Sequence, residues 1–334
     1  LTPGAMGELK RHGVEVGVQR GAGLASRYAD ADYIAAGALL LDHATALYDW
    51  AELVVKVKEP VGDEVRLLRQ DHRLFCYLHL AANPTLTAAL CDIGLTAIAF
   101  ETVAEGGRLP ILVPMSDIAG RIAVQVGTHL LHTPQGGKGV LLGGLASVPR
   151  GNVVVVGAGS AGGASVRAAA ALGANVTVFD RNPEKLEAMH GLADNVTALT
   201  PSRRALDDVL AAADLLIGAV LLPGAAAPRV VSRDQVAGMQ PGSVVVDIAV
   251  DQGGCIETTR PTTYDAPTYL DEDVVHFCVT NMPGAVPRSA TQALSAALLP
   301  YLLRLIEADW EADPRLAGAI NVAGGQVVHP ALRD

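Results

Sequence analysis

The stretch NVVVVGAGSAGGASVRAAAALGANVTVFD, running from Asn152 to Asp180, decides the fold. Four consecutive valines after Asn152 form a short, uninterrupted apolar run, the signature of a parallel strand buried on both faces. Gly157–Ala158–Gly159–Ser160–Ala161–Gly162 follows, and the Ala-rich segment Ala161–Leu172 reads as a helix. Ala174–Phe179 is a second strand with Asp180 at its end. Strand, glycine-rich turn, helix and strand within about 30 residues make a βαβ unit.

Gly157, Gly159 and Gly162 have the spacing GxGxxG, a weak signal alone. Here it follows a strand, opens a helix, and is followed by an acidic residue 18 positions after the last glycine. The first glycine permits the tight turn, the second lets the backbone approach a pyrophosphate, and the third lets helix and strand pack closely. The helix N-terminus, which Ser160 directly precedes, offers free N–H groups and partial positive charge to phosphates. Asp180 would accept hydrogen bonds from ribose hydroxyls and repel a 2′-phosphate, which favours NAD. Arg181 beside it is the residue type that accepts such a phosphate, so NADP stands as the alternative.

Outward from this unit the chain alternates helices and strands. Before it, strands are expected at Val14–Val18, Leu39–Leu41, Leu53–Val57, Arg73–Leu78 and Thr96–Glu101, with a long helix from Met115 to Leu131. After it come strands at Leu215–Val220, Ser243–Ile248 and His276–Val279, then a long apolar helix, Ser289–Trp310. The expected class is α/β: two Rossmann-like, doubly wound parallel-sheet domains. A discontinuous domain of residues 1–110 and 286–334 would hold the substrate, and residues 111–285 would be an inserted NAD-binding Rossmann domain.

Bulk properties narrow the function classes. The chain has 334 residues, enough for two domains, and a formal net charge of −10, which disfavours nucleic acid and anionic membranes as partners. Aromatic residues are only 4%, so the cores must be built from Ala, Val and Leu. Cys76, Cys91, Cys255 and Cys278 lack CxxC spacing and read as reduced core thiols, with no metal site. Neither a signal peptide nor an apolar run of bilayer length is expected, which points to the cytoplasm.

Five further stretches carry a resemblance: Val55–Pro60, Tyr77–Ala82, Pro114–Arg121, Asp247–Gly254 and Asn281–Pro287. In this order, and covering nearly the whole chain, they resemble the alanine dehydrogenase family, which also includes the transhydrogenases. The resemblance implies interconversion of L-alanine, NAD and water with pyruvate, ammonium and NADH. It implies that His79 is the acid/base residue, that Lys58 holds the substrate, and that Asp251 helps to activate water or ammonia. Ser116 would touch the pyrophosphate. Lys185 and Arg260 would join Asp180 in the cofactor pocket, Val220, Leu221 and Ile248 would line it, and Val279, Asn281 and Met282 would lie at the nicotinamide. It also implies a homo-oligomer, commonly a hexamer.

Residue chemistry suits these roles: an imidazole exchanges protons near neutrality, and a lysine stabilises negative charge developing on an oxygen. Each residue also has a structural reading. Lys56 and Lys58 could be a solvated strand end, although their alternation and apolar setting favour a pocket for Lys58. Ser116 could be a helix N-cap, a phosphate contact, or both. Asp247 could cap a turn, and Glu101 reads as structural. The family's strand and substrate-gripping arginine before Leu1–Thr2–Pro3 are absent from these residues. A severe loss of substrate affinity, or a non-catalytic NAD-binding paralogue, is the corresponding expectation. A dehydrogenase for another small amino acid is the third reading.

Overall fold

The computed structural model describes residues 1–220 and 227–333. Its strands, in chain order, are β1 (Gly17–Gln19), β2 (Leu39–Leu41), β3 (Leu53–Val55), β4 (Arg73–Cys76), β5 (Thr96–Ala99), β6 (Asn152–Val156), β7 (Asn175–Phe179), β8 (Val196–Leu199), β9 (Leu215–Gly218), β10 (Val244–Asp247), β11 (Thr268–Asp271), β12 (Val274–Phe277), β13 (Ile320–Ala323) and β14 (Gln326–Val327). The chain divides into two compact units, Leu1–Met115 with Val286–Asp334, and Ser116–Ala285.

The second unit is built on a seven-stranded sheet of order β11-β12-β10-β9-β6-β7-β8. All neighbouring pairs are parallel except the edge pair β11–β12. The four valines of β6 are at most 2% exposed, as a central strand covered on both faces requires. Each such side chain contributes about 1.5–3 kcal/mol through burial. Strand order reverses beside β6: β7 and β8 extend one way, and the chain then returns to place β9 on the other side. Ligands bind such sheets at the carboxyl ends of the strands, at this reversal.

The first unit carries a five-stranded sheet, β14-β13-β5-β4-β3, and a separate parallel pair, β1–β2. Strands β3, β4 and β5 are parallel, with Val55 opposite Phe75 and Cys76 opposite Ala99. Phe75, Ile98 and Phe100 pack against Leu298, Tyr301 and Leu305 of the helix Pro287–Leu305. A second cluster, including Leu74, Cys76, Ala97 and Leu90, fills the opposite side with the helix Pro84–Ile93. That helix starts where Asn83 accepts a bond from Leu86 N–H ahead of Pro84, and ends at Gly94 in the left-handed region.

Several expected boundaries move. The strand expected at Val14–Val18 is Gly17–Gln19, the residues in register with Leu39–Leu41. The strand expected to run to Val57 stops at Val55, which places Lys56 and Lys58 beyond it. The long C-terminal helix ends at Leu305, not Trp310.

Candidate active site

In the second unit the sites gather at the carboxyl ends of the strands. The turn after β6 passes through Gly157 at φ +100°, where a Cβ would lie 2.5 Å from the Ala219 carbonyl oxygen. The helix Ser160–Ala171 then begins with no side chain capping it, and a Cβ on Gly159 would meet nothing within 4 Å. The helix N-terminus therefore faces open space with its amides uncovered, a cradle that fits a diphosphate.

Asp180, directly after β7, is fixed from two sides. Its Oδ2 accepts from Ala158 N at 2.7 Å and its Oδ1 from Asn182 N at 2.8 Å. Lys185 Nζ lies 3.9 Å from Oδ2. This firmly held carboxylate beside the cradle is suited to a ribose diol, so the residues present fit a dinucleotide.

Ser116 is the fifth residue of the helix Leu112–Leu130, so the N-cap reading fails; the helix already begins at Leu112. One turn further along the same face, Gly120 packs against the start of the helix Ser160–Ala171. A Cβ there would lie 2.1 Å from Ala161 O, and Ser165 Oγ donates to Gly120 O at 3.1 Å. Ser116 is thus on the face that leads toward the cradle.

Ile248 follows β10, and its N–H bonds Gly218 O at 2.8 Å. Val220 follows β9, whereas Leu221 lies outside the described residues. Asp251 is exposed, on a single 3₁₀ turn, Val250–Gln252. The loop that carries it is latched by Asp247, a fully buried carboxylate. Asp247 accepts from Ala249 N, Cys255 N, Ile256 N and Thr259 Oγ1, at 2.9, 2.9, 3.3 and 2.7 Å. Burial pushes its pKa up, against the downward pull of these bonds.

Arg260 stacks over the Tyr269 ring at 4.1 Å, on the flank of the sheet opposite Asp180. Val279 and Met282 are buried beyond β12, and Asn281 between them is exposed.

In the first unit, three polar residues follow three consecutive parallel strands: Lys58 after β3, His79 after β4 and Glu101 after β5. Tyr77 N–H bonds Val57 O at 3.0 Å, so the chain leading to Lys58 lies beside the chain leading to His79. Lys58 is exposed, and its place beyond the strand removes the alternation argument for a buried pocket lysine. Lys56 instead pairs with Glu64 at 2.5 Å.

His79 is partly buried, with backbone φ +48° and ψ +39°. Its ring lies parallel to Tyr77, 5.8 Å between centroids, and its Nδ1 is 3.9 Å from Glu101 Oε1. Glu101 accepts from the Leu78 and His79 amides, and Asp247 grips the Asp251 loop. Sequence reasoning gave neither carboxylate this function, although Glu101's place after β5, matching that of His79 after β4, is a usable signal.

Cys76, Cys255 and Cys278 are buried, and all four cysteines are free thiols. Among the described residues, no group of three or more His, Cys, Asp or Glu side chains is placed to hold a metal ion, and no helix is long and apolar enough to cross a membrane.

Residues 1–119 match the family model described as alanine dehydrogenase/PNT, N-terminal domain, and residues 123–330 match its C-terminal counterpart. The chain is 46% identical to an alanine dehydrogenase of Halomonas elongata, with 100% of this chain and 92% of that one covered. It is 45% identical to an alanine dehydrogenase of Bacillus subtilis, with 99% and 89% covered. A solved L-alanine dehydrogenase superposes with a TM-score of 0.94 at 46% identity, over 100% of this chain and 93% of that one. A transhydrogenase from Sinorhizobium meliloti superposes with a TM-score of 0.84 at 28% identity, over 99% and 94%.

Proposed function

Because the chain belongs to the alanine dehydrogenase/PNT family, we propose that it catalyses the reversible, NAD-dependent oxidative deamination of L-alanine to pyruvate and ammonium. The observation that carries the reading is the set of Lys58, His79 and Glu101 at the carboxyl ends of β3, β4 and β5, in a chain whose other unit presents an uncapped, glycine-lined helix start beside Asp180. Full-length likeness to proteins named alanine dehydrogenase supports the substrate. The alternative of a non-catalytic paralogue finds no support in these likenesses.

In this reading the first unit handles the amino acid and the second the dinucleotide. When bound, NAD supplies the two-electron acceptor that turns the amine of L-alanine into an iminium. The amides at Gly159–Ala161 hold the diphosphate, with Ser116 beside them. Asp180 and Lys185 take the adenosine ribose, and Val220 and Ile248 line the pocket. Arg260, Val279, Asn281 and Met282 serve its other end, across the sheet from Asp180. Lys58 binds the substrate carboxylate or carbonyl oxygen, where a cation stabilises developing negative charge. Asp251 orients the water that attacks the iminium carbon. His79 moves protons at the resulting hydroxyl as C–N cleaves and the carbonyl of pyruvate forms.

The free thiols and the fit to a soluble dinucleotide support work in the cytoplasm. We extend the reading to a homo-oligomer, a hexamer, which light scattering on the purified chain tests directly. The activity itself is tested by mixing the protein with NADH, pyruvate and ammonium. NADH absorbance should fall, and should stay constant when ammonium is omitted. Binding of NADH without turnover would overturn the proposal.

A further inference from the structure

His79 sits in a backbone conformation that an ordinary side chain seldom adopts. At φ +48° and ψ +39° it is in the left-handed region, where Cβ crowds the following carbonyl. Such residues persist only where surrounding structure holds them. Glu101 supplies that hold. Its Oε1 accepts from His79 N at 2.6 Å and from Leu78 N at 3.2 Å, and its Oε2 lies 3.2 Å from Leu78 N. Two successive amides thus converge on one carboxylate, the anion-binding arrangement of a backbone nest. At 3.9 Å, the imidazole Nδ1 is beyond hydrogen-bond reach of the same carboxylate, so Glu101 grips the main chain and not the ring.

Next to Glu101, Phe100 presses its ring edge-on against Tyr77, centroids 5.0 Å apart. Tyr77 is tied by its hydroxyl to Ile111 O at 2.9 Å and lies parallel to the imidazole. Two consecutive residues after β5 therefore set both the backbone and the ring plane of His79.

We infer that Glu101 is a positioning residue, holding His79 in the left-handed turn from which its imidazole serves the substrate. The inference rests on the catalytic reading of His79. A glutamine here keeps a carbonyl oxygen for the two amides, alanine removes the acceptor, and aspartate keeps the charge but is one methylene short.

Glu101→Ala, Glu101→Gln and Glu101→Asp in the full chain, assayed with NADH, pyruvate and ammonium, decide it. E101A should lose kcat by about a hundredfold, the scale on which a misplaced catalytic group is felt. NADH affinity and the pyruvate KM should stay near parental. E101Q should recover most of kcat, and E101D should not. Parental kcat in E101A or E101D, or E101Q as damaged as E101A, would overturn the inference. If E101A fails to fold, E101Q and E101D still decide it by the same contrast. His79→Asn separates the two layers. Parental activity in H79N removes the reading of His79 itself, whereas an inactive H79N beside a parental E101A removes only the role of Glu101.

Discussion

Gly162 lies so close to Gly157 that a Cβ on Gly162 would stand 1.7 Å from the Gly157 carbonyl oxygen. The third glycine of the motif is therefore a packing residue, demanded by the approach of the helix Ser160–Ala171 to the turn it follows. The second glycine, Gly159, meets nothing within 4 Å and faces the open cradle. Two glycines three residues apart thus answer to different requirements.

Substituting each by alanine should separate them. Gly162→Ala must displace backbone and should destabilise the protein by about 1–3 kcal/mol, as overpacking does. Gly159→Ala should melt at the parental temperature yet bind NADH about tenfold more weakly, roughly 1.4 kcal/mol. Thermal melts and NADH fluorescence titrations measure both. A destabilised G159A with intact NADH affinity would contradict the assignment of the cradle.

Asp180 is held by two backbone amides, so its charge stays at one place. Asp180→Asn removes the repulsion that excludes a 2′-phosphate, while Arg181 remains beside the site. The ratio of kcat/KM for NADH over NADPH should fall by about tenfold or more, the scale of one lost charge contact. An unchanged ratio would show that selectivity lies elsewhere.

The βαβ unit is legible in the sequence because its determinants are local: consecutive valines, glycines at fixed spacing and an acid at the strand end. Strand ends are less so. Val14–Val18 alternates like a strand, but pairing stops at Gly17–Gln19, since a strand extends only as far as its partner Leu39–Leu41. Lys56 and Lys58 alternate too, yet β3 has ended at Val55. Glu101 reads as structural in the sequence, since its grip on Leu78 and His79 spans 23 and 22 residues and depends on the β4–β5 register. The latch at Asp247 is hidden similarly, because its partners are mostly main-chain amides, which residue identity does not reveal.

Asp247 itself should prove a support for Asp251. In Asp247→Asn an amide N–H₂ replaces one acceptor oxygen, which leaves buried donors among Ala249, Cys255, Ile256 and Thr259 without a partner. The expected cost is about 1–3 kcal/mol. Loosening of the Val250–Gln252 turn should lower kcat more than NADH affinity. Calorimetry with steady-state kinetics tests this, and parental values of both Tm and kcat in D247N would refute the latch.

His276 is fully buried, its Nε2 2.8 Å from Thr258 Oγ1 and its Nδ1 2.9 Å from Val274 O. A carbonyl only accepts, so Nδ1 carries the proton and Nε2 accepts from the threonine hydroxyl, a neutral ring fully satisfied. Burial holds its pKa below 6.5, and the charges of Arg233 and Arg260 push the same way, against the bond to Val274 O and the charge of Asp271. His72 is likewise lowered by burial, its Nδ1 accepting from Arg69 N. As pH falls through 6.5 the unfolded chain binds protons at both positions before the folded protein does. Stability therefore declines on acidification in that window and is regained as pH rises through it. The melting temperature should fall below pH 6.5, and His276→Gln should flatten that decline without abolishing it, since His72 remains. An H276Q profile parallel to the parental one would remove His276 from the account.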